Sequence, residues 1–201
     1  MKRILFLFLF LTALLGITSV WAQTTRYVPS EYPSIQAAVN ASTAGDIVQI
    51  AAGTYSQNNY AWTDFVINKS ISLIGAGSGQ TIIQFTNKQH GLEIVTPASA
   101  VTIQGITFTK MDSNTQSAGW AIIAGETGGS FASLVFDDVE VSHASSRNIA
   151  LLNATWQDID MINCNIHHSF GWGMTVRGTI TSITVTNSHF DYNGDLTNHL
   201  S

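Results

Sequence analysis

The feature that most limits what this chain can fold into is a bend residue that returns at one place in a repeated strand. Five segments align: Ile71–Gly75, Val101–Gly105, Leu134–Asp138, Ile159–Asn163 and Ile183–Asn187. Their first and third positions are always apolar, the inward face of a strand whose side chains alternate. The fifth position reads Gly75, Gly105, Asp138, Asn163 and Asn187. These residue types tolerate a left-handed backbone, so the chain is expected to turn a corner there in every repeat. A second alternating series follows the corner, with Ile106 and Phe108, Val139 and Val141, Cys164 and Ile166, then Ser188 and Phe190. A third comprises Leu92 and Ile94, Trp120 to Ala124, Ile149 and Leu151, then Met174 and Val176.

The corners lie 30, 33, 25 and 24 residues apart. Three short strands per repeat with no helix between them cannot make a βαβ sheet, but they can wind as coils that stack strand on strand. A β-sandwich also has many short strands, yet it does not repeat its bend chemistry at one register. The fold class expected is therefore all-β, a right-handed parallel β-helix of roughly five to six coils, roughly 25–30 Å tall at the strand spacing. Segments 112–119 and 125–131 read as loops leaving the coil. At the other end, Ser34 to Ala41 puts Ile35, Ala38 and Val39 on one helical face just after Pro33, a short helix suited to capping the first coil.

Residues 1–22 read as a secretory signal peptide: Lys2 and Arg3, an apolar run from Ile4 to Leu15, then small residues around Ser19 and Ala22. That run is too short to span a bilayer, and no later stretch is apolar enough to do so. The expectation is a protein that is secreted, extracellular or at the cell surface, or periplasmic, with residues 23–201 forming one β-helix domain. The chain stops at Ser201 in mid-coil, so a fragment of a longer β-helix, truncated at its C-terminus, is expected. Losing Lys2 and Arg3 takes the basic count from 8 to 6 against 13 acids, a net charge of about −7. This balance argues against nucleic acid and anionic membranes as partners. The single cysteine, Cys164, has no partner for an internal disulfide and sits at an inward position, as a small core hydrophobe. A monomer is expected.

The opening of the mature chain resembles a known group. Tyr32-Pro-Ser-Ile-Gln-Ala-Ala-Val-Asn40, Gly45-Asp-Ile-Val-Gln-Ile50, Ala52-Gly-Thr-Tyr55 and Ser70-Ile-Ser-Leu-Ile-Gly-Ala-Gly77 are similar in order and spacing to the start of pectin-lyase-like superfamily proteins. That group includes pectinesterases, pectate lyases and right-handed β-helix repeat proteins. The resemblance covers residues 27–85 well and runs to residue 193 as a looser repeat. It implies the fold and a polysaccharide partner. The chain has no counterpart of the pectinesterase motifs with paired aspartates and arginine, nor of the arginine-proline-arginine signature of pectate lyases.

Outward positions at one register form columns across coils. In the second strand one column reads Thr107, Glu140, Asn165, His189, and the next Thr109, Ser142, His167, Asp191. Just beyond stand Lys110, His143, His168 and Tyr192. Glu140, His167, His189 and Asp191 are the candidate catalytic acid–base set on a sugar ring. His167, His189 and Asp191 alternatively suit zinc or a similar ion. Calcium prefers oxygen, for which Asp137, Asp138, Glu140 and Asp160 are available. The candidate substrate-binding residues are His143, His168, Arg177, Tyr192 and Trp172. Trp120, Trp156 and Trp172 lie at or near corners, where a ring can stack on sugar or cap the core. Asn163 and Asn187 are expected to ladder along their bend. A solvated polar face would carry the same residue types. The function expected is an extracellular polysaccharide-active protein, a lyase or hydrolase of an acidic glycan, or alternatively a non-catalytic carbohydrate-binding or adhesive module.

Overall fold

A computed structural model describes residues 22–56, 60, 62–85, 90–110 and 119–194. All but the last residue of the expected signal segment, most of the 112–119 loop and the chain beyond residue 194 lie outside the described residues. The described residues form a parallel β-solenoid of about six turns, with a single short helix among them. Every strand pairing among them is parallel.

Three faces make each turn. The first is built from β1 (Thr25–Val28), β2 (Ile47–Ile50), β5 (Ser72–Ile74) and the start of β8 (Ala100–Lys110). It continues through the start of β11 (Ser133–Ser142) and the far ends of β12 (Arg147–Ile162) and β14 (Trp172–Thr186). The second face stacks β3 (Gly53–Ser56), β6 (Thr81–Phe85), the far ends of β8 and β11, β13 (Asn165–His167) and β15 (His189–Asp191). The third stacks β4 (Thr63–Ile67), β7 (His90–Ile94), β9 (Trp120–Ala124) and the starts of β12 and β14. A two-residue strand, β10 (Ser130–Phe131), lies on β12 within the expected 125–131 loop.

The registers reproduce the sequence alignment residue for residue. Leu73 pairs with Ile103, Ile103 with Phe136, Phe136 with Met161 and Met161 with Val185. Val48 extends this inward column one coil below Leu73. Gly105, Asp138, Asn163 and Asn187 hold the expected left-handed corner, with φ of 64°, 52°, 54° and 49°. Gly75 does not. Its glycine is required by space, because a Cβ there would lie 2.2 Å from the Gly105 carbonyl oxygen. Cys164 is buried in the core as expected.

Helix α1 (Ile35–Ala41) closes the lower end. Ser34 caps it by accepting from the Ala37 amide, and Ile35, Ala38 and Val39 are fully buried. Gln36 takes the place of a neighbouring strand: its amide accepts from the Val66 N–H at 2.7 Å and donates to the Val66 carbonyl at 3.1 Å. The backbone edge of β4 is thereby satisfied at Val66. Lys69 donates to the Val39 and Asn40 carbonyls at the helix C-terminus.

Of the two uses open to Trp156 the structure takes the core one: it is fully buried, stacks on Phe131 at 4.6 Å and donates its indole N–H to the Arg177 carbonyl. One expectation is corrected. The asparagine side chains that meet across coils are Asn148 and Asn193, between the second and third faces. Asn148 donates to the Val141 and His167 carbonyls, and Asn193 donates to the Ile166 carbonyl and accepts from the Ser169 amide. Asn163 and Asn187 serve their corner through backbone conformation.

Candidate functional site

The second face presents its outward residues in the expected columns. Glu140 pairs in register with Thr107 and Asn165, and Asn165 with His189. Ser142 pairs with His167, and His167 with Asp191. Between these columns Glu140 and His167 meet, Oε1 to Nε2 at 3.1 Å, while the Thr107 hydroxyl donates to the other carboxylate oxygen at 3.0 Å. The hydrogen bond from His167 holds the Glu140 carboxyl below the usual range. Burial opposes this, and the Thr107 bond and the His167 and His143 charges reinforce it. Glu140 is therefore a carboxylate at neutral pH, suited to orienting His167 and stabilising an imidazolium there rather than to giving up a proton itself.

His167 in turn touches His168, Nδ1 to Nδ1. The column beyond has an unexpected geometry. His143, His168 and Tyr192 all sit in the left-handed region, with φ of 61°, 52° and 49°. They form a second corner, on which their rings stack: His143 on His168 at 5.5 Å and His168 on Tyr192 at 5.0 Å. His167 meets both histidine rings edge-on. The stack covers a face of each histidine ring, whereas Tyr192 is 56% exposed. The structure thus gathers Glu140, His143, His167, His168 and Tyr192. His189 and Asp191 stand higher in the columns on β15, both exposed; two strand spacings, roughly 10 Å, separate the His189 backbone from that of Glu140.

Trp172 and Arg177 belong to the third face. The Arg147 guanidinium lies between two rings, 5.3 Å from the centre of Trp120 and 4.6 Å from that of Trp172. Trp172 keeps 60% of its surface exposed, and Arg177 is exposed on the same strand. Trp120 is anchored by an indole N–H bond to Ser146 and is half-buried.

The oxygen set available to calcium is dispersed. Asp138 accepts from the Ser78 amide and hydroxyl, Asp137 from Gln104, and Glu140 from Thr107. Among the described residues, the His, Cys and acidic ligand atoms that converge three at a time belong to His90, Glu93 and Glu126. Sequence reasoning passed over these three. Strand positions three apart fall on opposite faces by simple alternation, and Glu126 lies in a loop.

Neither a protein-family model nor a curated protein matches the sequence. Among solved structures the chain is similar to one described as ORF18 of Geobacillus virus E2, at 18% identity and a TM-score of 0.48. The match covers 76% of this chain and 44% of that one, so this chain spans less than half its length. Among the described residues, no helix is long and apolar enough to cross a membrane.

Proposed function

We propose that this is an exported polysaccharide lyase of the pectin-lyase-like kind, acting on an acidic glycan laid across the second face. The observation that carries this reading is the Glu140–His167 bond, continued to His168. Eliminative cleavage of a uronic acid chain requires removal of a proton beside a carboxylate. A histidine pair backed by an anion suits that step, since Glu140 stabilises the positive charge that the pair acquires. Hydrolysis is less well served, because it uses two carboxyl groups, one of them with a raised pKa. Glu140 is shifted the other way. Tyr192, exposed beside the pair, offers a ring face to a neighbouring sugar.

A binding module is the second reading, favoured by Trp172. Its open ring, backed by Arg147 and near exposed Arg177, suits an acidic sugar without any chemistry.

The test is a panel of uronic acid polysaccharides incubated with the full mature chain, with calcium and with chelator, followed by the ultraviolet absorbance of the new double bond. Activity should fall at least ~100-fold in Glu140→Gln and His167→Gln. Absence of turnover, with glycan binding that is lost in Trp172→Ala, would replace the lyase by the binding module.

A further inference from the structure

On the outer side of the third face, away from the Glu140–His167 pair, His90 and Glu93 of β7 converge with Glu126 from the next coil. One ligand atom from each lies within 4.8 Å of the others. They line a cavity of about 360 Å³ with Trp62 at its rim. His90 is only 5% exposed, yet neither ring nitrogen has a hydrogen-bond partner among the described residues. A buried imidazole whose two nitrogens meet no partner among the described residues is poised to take a ligand from the cavity.

The His90 ring and the backbone that carries both glutamates are held before anything binds. The His90 ring lies parallel to Trp120, 4° between planes and 5.0 Å between centres. Glu93 is fixed in the β7 ladder between Val66 and Ile123. Glu126 follows Gly125, whose φ of 70° turns the chain and whose N–H bonds to the Ile94 carbonyl one coil below. Asn153, one coil above, donates to the Glu126 carbonyl. Backbone pinned from both neighbouring coils leaves mainly the glutamate side chains to be ordered at binding.

We propose that His90, Glu93 and Glu126 form a binding site for a divalent transition ion of the zinc type. One imidazole and two carboxylates suit such an ion, whereas calcium would seek six or more oxygens. Two carboxylates brought this close repel one another, and a cation between them relieves that repulsion. Three protein ligands leave the remaining tetrahedral position to an oxygen donor from the cavity, water or an anion.

The experiment is cobalt and zinc titration of the full mature chain, made without a polyhistidine tag and stripped by chelator, read by metal content after dialysis and by cobalt d–d absorption. One ion per chain is expected, with affinity reduced at least about tenfold in Glu126→Gln and His90→Gln. Glu126 lies in a loop, so Glu126→Gln decides the matter should His90→Gln fail to fold. His167→Gln is expected to bind as the parent does. The assignment is overturned by an absence of stoichiometric binding, by full affinity in Glu126→Gln, by loss that follows His167 instead, or by calcium displacing zinc at equal concentration.

Discussion

A left-handed backbone at a residue other than glycine costs roughly 1–2 kcal/mol, least for asparagine and aspartate, whose short polar side chains suit it. This chain accepts that strain at Asp138, Asn163 and Asn187, once per coil, and again at His143, His168 and Tyr192. The first series was legible because its residue types advertise the conformation. The second was not, since tyrosine is uncommon there and the stacking that accompanies the turn has no sequence signature. Asn163→Val should lower stability by about 1–2 kcal/mol and Asn163→Gly should change it little, as read from urea midpoints. Equal loss in both would mean that the Asn163 side chain, not its backbone, matters. Asp46 makes a second residue-level prediction. Its side chain, 1% exposed, bonds Arg26 at 2.8 Å and accepts from the Thr43 and Thr24 amides. Burial pushes its carboxyl up, but these bonds outweigh it and the net shift is downward. A carboxyl depressed in the folded state stabilises above its unfolded value, near 3.9, and that contribution is lost as pH falls through the folded value. Asp46→Asn should therefore cost about 3 kcal/mol at pH 7, a deficit that shrinks only below about pH 4. A deficit already shrinking at pH 6 would contradict this.

At the scale of strands and helix, alternation plus a fixed corner was enough to give the first-face registers from β5 upward, because stacked coils must keep the same side chains inward. Less legible was the reason for each glycine. Gly75 looked like another left-handed corner, yet it is a point where two coils touch, so Gly75→Ala must push backbone against backbone. A loss of about 1–3 kcal/mol is expected, against a smaller one for an alanine on the open surface. Gln36 was read only as part of an amphipathic helix. Its pairing with both backbone groups of Val66 depends on where the helix docks, which periodicity does not encode. Gln36→Ala should leave that edge unpaired and cost about 1–3 kcal/mol, with faster amide exchange at Val66 than in the parent. Unchanged exchange at Val66 would sink that role. Among the candidate site residues, Glu140 and His167 were found because the columns predicted them. The His90, Glu93 and Glu126 group was missed because it breaks alternation and borrows from a loop.

In the molecule as a whole, each coil rests only on its neighbours, so stability should be close to a sum over coil interfaces. The inward column from Val48 through Leu73, Ile103, Phe136 and Met161 to Val185 samples that sum at successive heights. Its members are fully buried until Val185, which is 49% exposed because no strand among the described residues lies above β14 there. Ile180, Ile183 and Phe190 are exposed on the same last coil. Truncating mid-column removes packing against coils on both sides and leaves a cavity that rigid neighbours cannot close. Ile103→Ala should then cost about 2–5 kcal/mol. Val185→Ala, which loses packing on one side and opens no closed cavity, should cost under about 1 kcal/mol. Urea unfolding followed by both circular dichroism and tryptophan fluorescence would check this. Trp156 reports from inside the stack and Trp172 from its last described coil, so non-coincident transitions would locate which interface parts first. Equal losses at Ile103 and Val185 would mean that something covers the upper coil in solution, and the exposed residues there would then belong to an interface rather than an end.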